Sequence, residues 1–272
     1  MTGFPGETWI VGCGKMAGAM VEGWRRAGVD LAQAIAIRPS GQEVEGVTTL
    51  TELPAAGTPA LVLLGVKPQK LDEVAPDLSK RLNQNTILIS ILAGVELNSL
   101  RSRFPSAGQI IRIMPNLPVS EGCGIIALFD GKSYDARSVT DALFAPLGTV
   151  VRTASEAELA AIGSLAGAGP AYVARFVAAL AKAGVERGLD PAVADRLALE
   201  TVLGTATMAA ARNEDMDSIA RRVASPNGTT EAGLNILDAG LDRLVSRTLE
   251  AASRRGAELA DAARIDSAPP LA

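Results

Sequence analysis

The first half of the chain alternates short runs of apolar residues with longer amphipathic stretches. Runs of this length suit buried strands, and the stretches between them suit helices. The alternation is typical of βαβ units, so the sequence predicts an α/β fold with a mostly parallel sheet. The apolar runs expected as strands read TWIVG, AIAIR, PALVLLGV, TILISILAG, QIIRIMPN, GIIALF and GTVVRT.

From Glu156 onward the apolar residues recur at helical spacing instead. One stripe contains Leu159, Ile162, Gly163 and Ala166, and a second contains Leu199, Val202, Leu203, Ala206 and Ala210. The pattern changes near residues 153 to 156, so we expect an α/β domain over residues 1–154 and an all-helical domain over residues 155–272. The last seven letters, DSAPPLA, read as a frayed tail.

The helical half has more apolar faces than so small a domain can cover by itself. Its stripes of Ala and Gly allow close approach of helix backbones, so a second copy of the chain could pack against them. Closed symmetric pairs are the commonest soluble oligomers. We therefore expect a homodimer or an assembly of dimers, and packing against the first domain alone is the alternative.

Residues 224–233, ASPNGTTEAG, interrupt the helical stretches. Pro226, Asn227 and Gly228 predict a turn, and Thr229 or Thr230 would cap a new helix after it. A helix N-terminus with free N–H groups can hold a carboxylate, and hydroxyls beside it can position a ring nitrogen. A plain turn between two helices, with no ligand, is the alternative.

Composition and charge narrow the classes of function. A net charge of −4, a pI near 5.1 and the lack of any Lys or Arg run argue against a nucleic-acid partner. MTGFPGE does not resemble a secretion signal, and PALVLLGV is too short to cross a bilayer. Cys13 and Cys123 make no disulfide framework. We expect a soluble cytoplasmic protein with a small-molecule substrate, no membrane partner and no metal.

A glycine pattern follows the first expected strand. In VGCGKMAGAM, Gly12, Gly14 and Ala17 match G-x-G-x-x-A between a strand and a helix, which is the context of a dinucleotide-binding loop. Gly12 permits the tight turn, Gly14 lets backbone approach a pyrophosphate, and Ala17 lets helix and strand pack closely. A purely structural glycine turn is the alternative.

The second expected strand ends in Arg38, Pro39 and Ser40, where an NAD site usually has an acidic residue. The planar fork of Arg38 suits a 2′-phosphate, so we expect NADPH, with NADH possible. An ordinary surface arginine is the alternative. Two further loops, GVKPQ and IMPNLP, place Lys67 and Asn116 beyond the carboxyl ends of strands, where ligands bind in such sheets.

Five motifs in order and spacing make the chain resemble the pyrroline-5-carboxylate reductase family. They are the glycine loop, the Val66–Lys67–Pro68 loop, the Met-Pro-Asn loop, AGAGPAY and SPNGTT, and together they span nearly all of the chain. The resemblance implies a Rossmann domain followed by an all-α dimerisation domain, and reduction of 1-pyrroline-5-carboxylate to L-proline with NAD(P)H.

The resemblance also implies roles for particular residues. The cofactor set would be Gly12, Gly14, Lys15, Met16, Arg38, Ser40, Val66, Lys67, Pro68 and Asn116, with Lys67 and Asn116 near the nicotinamide. The substrate set would be Ser225, Gly228, Thr229 and Thr230, with Thr230 at the reacting part. The sequence departs from the family pattern at Leu117, Ala168, Arg221 and Asn227.

The chain contains no histidine, so any catalysis must proceed without the commonest general acid or base. An imine that arrives protonated needs only a hydride and correct orientation. Reduction of another cyclic imine and a non-catalytic dinucleotide-binding role are the alternatives. A hydroxyacid dehydrogenase is less favoured, because it needs a proton-transferring Lys or His, and beyond residue 132 the only lysine is Lys182.

Overall fold

The computed structural model describes residues 3–131 and 137–265, with only the backbone described for residues 137–138 and 262–265. The tail expected over residues 266–272 lies outside the described residues. Arg152 ends the last strand of the described chain, and helices follow from Glu156.

Eight strands form one sheet in the order β3-β2-β1-β4-β5-β6-β7-β8. All neighbouring strands are parallel except β6 and β7, so the predicted α/β fold with a mostly parallel sheet is confirmed. The strands are β1 Thr8–Val11, β2 Ala34–Ile37, β3 Thr48–Leu50, β4 Leu61–Leu64, β5 Ile87–Ser90, β6 Gln109–Pro115, β7 Gly124–Phe129 and β8 Gly148–Arg152.

Ten α-helices lie in the described residues, four of them before the last strand. A short π-helical segment, Gly163–Gly167, joins the fifth helix to the sixth. The helices are α1 Lys15–Arg26, α2 Leu71–Ser79, α3 Leu97–Arg103, α4 Arg137–Phe144, α5 Glu156–Ile162, α6 Gly169–Val185, α7 Pro191–Arg212, α8 Met216–Val223, α9 Thr229–Asp238 and α10 Leu241–Ile265.

Strand β3 is not among the runs expected from the sequence. It has three residues at the edge of the sheet, and all of them are at least partly exposed. Strand periodicity cannot reveal it, because an edge strand this short and this exposed has no apolar run. Its pairing with β2 decides that it is a strand.

The sheet is covered on both faces, which explains why its central strands are apolar throughout. Every residue of β1 and β4 is buried. On one face α1 contributes Met20 and Trp24, and the Trp24 Nε1–H donates to the Leu143 carbonyl oxygen at 2.6 Å. On the other face α2 and α3 contribute Leu78 and Leu100. This packing holds the carboxyl ends of the strands at one edge.

The chain divides into two compact units, which do not coincide with the change from strands to helices. The described residues up to 168 and those from 252 onward form the first, and residues 169–251 form the second. The sheet, α5, the π-helical segment and the end of α10 therefore belong to one unit. The domain division at residues 154 and 155 stays a prediction.

Candidate functional site

The glycine loop after β1 is constrained by its own neighbours. Gly12 has φ +86°, and a Cβ there would lie 2.5 Å from the backbone nitrogen of Val66 and 2.7 Å from the carbonyl carbon of Gly65. Gly65 in turn faces the Gly12 carbonyl oxygen, which a Cβ on Gly65 would meet at 2.8 Å. The loops after β1 and β4 therefore touch backbone to backbone, and only glycine fits at position 12.

Helix α1 begins at the end of this loop without a side-chain cap. Gly14 is its N-cap, and within the described residues no side chain accepts from the first turn. Apart from Gly14, its two chain neighbours and its own helix, no described atom lies within 4 Å of the place where a Cβ on Gly14 would be, so the space in front of the helix is open. Lys15 and Met16 are the first two residues of the helix. Free N–H groups, the helix dipole and open space fit an anionic group such as a pyrophosphate.

The third position of the glycine pattern has the packing role that was expected. Ala17 is 1% exposed, and its Cβ lies 3.4 Å from where a Cβ on Gly65 would be. A larger side chain at position 17 would push α1 away from the loop after β4. Sequence reasoning missed Gly65, although a glycine directly after the PALVLL run was a usable signal.

Arg38 and Ser40 lie in the loop that follows β2, beside the start of α1. A cavity of about 690 Å³ is lined by Gly14 and Lys15 on one side and by Arg38 and Gln42 on the other. Arg38 is half-buried as a residue, and its guanidinium donates to two oxygens of Gln42; Ser40 Oγ accepts from the Gln42 N–H at 3.4 Å. The structure therefore brings Gly14, Lys15 and Arg38 to one cavity, and Ser40 contacts the cavity residue Gln42 without lining the cavity itself.

A second cavity, of about 670 Å³, includes Gly12 and Val66 in its lining. Pro39, Thr51 and Leu53 form another part of its wall, from the β2 and β3 ends of the sheet. Both cavities are bounded by the glycine loop, at the edge where the parallel strands have their carboxyl ends. This is the place where open α/β sheets bind ligands.

Lys67 and Asn116 both follow strands at this same edge, but their side chains differ. Lys67 is exposed before a 3-10 turn over Pro68–Lys70. Asn116 is 6% exposed: its Nδ2 donates to the Ala166 carbonyl oxygen at 3.0 Å, and its Oδ1 accepts from the Ile125 N–H at 2.7 Å. The Asn116 amide thus fastens β7 and the π-helical segment to the end of β6. A contact of Asn116 with a cofactor stays a prediction.

Cys13 lies inside the glycine loop and is 2% exposed. Burial raises the pKa of its thiol above the usual range, and the nearby positive charge of Arg38 acts in the opposite direction. Cys13 therefore lines the cavity as a buried, neutral thiol, whereas Cys123 is exposed.

The turn predicted at residues 225–230 is present in the second unit. The Gly228 N–H donates to the Ser225 carbonyl oxygen at 2.9 Å, and Asn227 has a left-handed backbone with φ +58°. A Cβ on Gly228 would meet the Ser225 Oγ and would lie 2.9 Å from the Ser225 carbonyl oxygen, so the turn favours glycine there. The Asn227 N–H donates to Glu231 Oε2 at 2.8 Å, which closes the turn.

The expectation that Thr229 or Thr230 caps the new helix is wrong. Helix α9 begins at Thr229 with Gly228 as its N-cap, and among the described residues no side chain accepts from its first turn. The two threonines stand one and two positions too late to cap it, because a cap precedes the first helical residue. Their hydroxyls make no hydrogen bond within the described chain, so hydroxyls and free N–H groups are available together.

The second unit exposes many large apolar side chains. Of those found in the described chain, only Leu117 and Leu165 lie outside it; the unit itself exposes Val173, Phe176, Leu180, Val185, Leu189, Val193, Leu197, Leu199, Leu203, Met216, Val223, Ile236, Leu237, Leu241, Leu244 and Val245. Soluble monomers rarely expose large apolar patches, so this many exposed apolar side chains favours an interface.

One helical stretch has the length and composition of a membrane span, which the sequence analysis did not anticipate. It runs over Glu156–Val185, 30 residues with a mean hydropathy of 1.2 in its most apolar window. Helices of soluble proteins meet the same criterion, and here the π-helical segment divides the stretch into α5 and α6. Length and composition alone do not assign it to a membrane.

Two protein families match the chain. The family described as pyrroline-5-carboxylate reductase dimerisation matches residues 156–259. The family described as NADP oxidoreductase, coenzyme F420-dependent, matches residues 8–94, which include the glycine loop and the loops after β2 and β4. The two matches thus fall on the strand-rich and the helical parts of the chain.

Relatives resemble the chain over most of its length. A pyrroline-5-carboxylate reductase of Pseudomonas aeruginosa is 33% identical over 93% of this chain and 96% of its own length. One of Synechocystis is 38% identical over 87% of this chain and 85% of its own length.

Solved structures agree in fold. A pyrroline-5-carboxylate reductase of Coxiella burnetii superposes with a TM-score of 0.84 at 30% identity, over 93% of this chain and 98% of that one. A pyrroline carboxylate reductase of Plasmodium falciparum with NADP bound has a TM-score of 0.83 at 22% identity, over 94% of this chain and 98% of that one, and shows the shared fold.

Proposed function

Because the chain belongs to the pyrroline-5-carboxylate reductase family, we propose that it reduces 1-pyrroline-5-carboxylate to L-proline with NADPH. The observation that carries this proposal is the start of α9, where an uncapped helix N-terminus stands beside two unbonded threonine hydroxyls. This pairing suits a small ligand that carries both a carboxylate and a ring nitrogen. The substrate has both groups.

The first unit fits the cofactor through its glycine loop. The open space at Gly14 and the uncapped start of α1 suit the pyrophosphate, and Arg38 with Ser40 suits a 2′-phosphate. We assign Lys67 and the loop that begins at Asn116 to the nicotinamide end, because both follow strands at the same edge. NADPH, when bound, supplies the hydride.

The second unit would hold the substrate. Backbone N–H groups at the start of α9 bind the carboxylate, with Ser225 and Gly228 shaping the turn in front of them. The Thr230 hydroxyl, and Thr229 beside it, orient the ring nitrogen. Because the protonated imine is already electrophilic, orientation and contact with the nicotinamide provide most of the acceleration.

We propose a homodimer built through the second unit. The exposed apolar side chains of α6 to α10 support it, as does the match to the dimerisation family. Light scattering at micromolar concentration should give at least twice the chain mass of 28.0 kDa. A fully active monomer would contradict this proposal.

The two free cysteines support a reducing compartment, so we place the protein in the cytoplasm.

The proposed reaction is tested by following NADPH concentration with two imines and one hydroxyacid. We expect turnover with 1-pyrroline-5-carboxylate, and much less with a six-membered cyclic imine. A 3-hydroxyacid with NADP⁺ tests the reverse direction of a dehydrogenase, and we expect no turnover. Preference for the six-membered imine or the hydroxyacid would replace the proposal, and cofactor binding with no turnover on any of the three would indicate a non-catalytic role.

A further inference from the structure

The connection between β2 and β3 is unusually short and contains no helix. Strand β2 ends at Ile37 and β3 begins at Thr48, whereas parallel strands are usually joined by a crossover of a dozen or more residues with a helix. We call residues 38–47 the crossover loop. The loop leaves the carboxyl end of β2, with Arg38 as its first residue, and returns so that Thr48 pairs with Ile35.

The crossover loop is folded on itself and tied to α1. The Gly41 N–H donates to the Arg38 carbonyl oxygen at 2.9 Å, and the Val44 N–H donates to Thr49 Oγ1 at 3.0 Å. Glu45 Oε1 lies 3.1 Å from Arg25 Nη1 on α1. These contacts hold the loop in one conformation. The backbone position of Arg38 is therefore fixed.

Gln42 accepts two hydrogen bonds from the guanidinium of Arg38. Arg38 Nη1–H donates to the Gln42 main-chain carbonyl oxygen at 3.1 Å, and Nη2–H donates to the side-chain Oε1 at 3.1 Å. Each terminal nitrogen of the guanidinium thus uses one N–H in a hydrogen bond to Gln42. The two bonds together fix the plane of the guanidinium. The Nε–H and the other terminal hydrogens stay available to a ligand.

The charge of Arg38 is not neutralised by the protein. In the described chain no carboxylate lies within ion-pair distance of Arg38, whereas the neighbouring Arg25 is paired with Glu45. Gln42 supplies acceptors without a negative charge. It orients the guanidinium without pairing with its charge, so the guanidinium can still pair with an anion in the 690 Å³ cavity, which Glu22, Glu43 and Glu45 also line.

We propose that Gln42 is a positioning residue that sets the preference for a 2′-phosphorylated cofactor through Arg38. This rests on the proposed function insofar as the cofactor is NADPH. A glutamate at position 42 would have the same size and the same reach. It would pair with Arg38 and repel a 2′-phosphate, while a 2′-hydroxyl would be unaffected.

Binding without substrate tests this, with adenosine 2′,5′-bisphosphate and AMP as probes and NADPH and NADH as full cofactors. Calorimetry or fluorescence titration gives Kd for the native protein, Gln42→Glu, Gln42→Met and the control Gln33→Glu. Gln33 is exposed and precedes β2 at the opposite edge of the sheet, so the control makes the same charge change far from the cavity.

In Gln42→Glu we expect about tenfold weaker binding of the bisphosphate and of NADPH, with AMP and NADH within about twofold of the native values. Gln42→Met keeps the main-chain acceptor and loses only the side-chain one, so about threefold weaker NADPH binding is expected. Gln33→Glu should leave all four values unchanged. Because Gln42 is exposed, thermal unfolding of the variants should match the native protein.

The inference is overturned if Gln42→Glu leaves the ratio of NADPH to NADH affinity unchanged, or if Gln42→Met binds NADPH more tightly, which would make Gln42 a competitor of the phosphate. Equal changes in AMP and bisphosphate binding would also overturn it, since they indicate general damage to the loop. Failure of the proposed reaction is distinguishable, because these titrations contain no substrate.

Discussion

Helices α1 and α9 begin in the same way but are built differently. Each has a glycine N-cap, and within the described residues neither has a side chain that caps its first turn. Three other helices are capped by their own preceding side chains, Ser155 for α5, Asp190 for α7 and Asp215 for α8. The starts of α1 and α9 are the two places proposed to bind anions, and α2 is a further described helix that begins without a side-chain cap.

The start of α1 is held by distant parts of the chain. Gly12 is pressed against Gly65 and Val66 from another strand, and Ala17 packs beneath them. The start of α9 is held locally, by Ser225, the left-handed Asn227 and the Glu231 carboxylate. A helix N-terminus with free N–H groups can thus be held in place by tertiary packing, or by a turn whose hydrogen bonds are all local.

The sharpest test separates the two glycines of the first loop. Gly12→Ala should lower the unfolding free energy by roughly 3 kcal/mol, because the new Cβ meets backbone at a strained φ. Gly14→Ala should cost less than about 1 kcal/mol, since its Cβ meets nothing. It should nonetheless weaken NADPH binding about tenfold by occupying the pyrophosphate space. Chemical denaturation and cofactor titration measure both, and equal stability of the two variants would refute the packing account.

The start of α9 is tested by Thr230→Val, which keeps the shape and removes the hydroxyl. If that hydroxyl bonds the charged iminium region, the transition state should lose ~1.5–3 kcal/mol of stabilisation. The value of kcat/KM should then fall roughly ten- to a hundredfold. Stability and NADPH affinity should not change, because Thr230 does not cap the helix. Thr149→Val on the exposed edge strand β8 is the control. A destabilised variant with normal kinetics would leave residues 225–230 as only a turn.

Arg38 tests whether the cavity beside α1 selects the phosphorylated cofactor. Arg38→Ala should reduce kcat/KM with NADPH about tenfold and leave NADH nearly unaffected, because only NADPH has the 2′-phosphate. Steady-state kinetics with both cofactors gives the ratio. If native protein and variant have the same ratio, Arg38 is an ordinary surface arginine.

The smallest effect is expected at Tyr172, near the start of α6. With no histidine in the chain and a substrate that brings its own proton, no side chain is required as an acid. Tyr172→Phe should therefore retain kcat within about threefold across the pH range of activity. A loss of several orders of magnitude in a folded variant would mean that the phenol donates a proton.

Local patterns predicted much of what is found. The seven apolar runs are strands, the glycine spacing lies between a strand and a helix, and residues 225–228 form a turn. Each of these depends on backbone preferences and burial within a few residues, which sequence spacing records directly. The predicted cap at Thr229 or Thr230 was wrong. Capping depends on which residue is the first of the helix, and the sequence pattern does not locate that residue to within one position.

What the tertiary structure alone decided concerns partners that are far apart in sequence or have no periodic signature. Strand β3 exists because β2 offers an edge, and Gly12 is obligatory because the loop after β4 touches it. Asn116 was singled out for its place after a strand, but its amide is bonded to Ala166 and Ile125. Gln42 has no motif at all, and its hold on Arg38 depends on how the crossover loop folds back. Sequence spacing determined which residues arrive at the edge of the sheet, and packing determined which of their atoms remain free for a ligand.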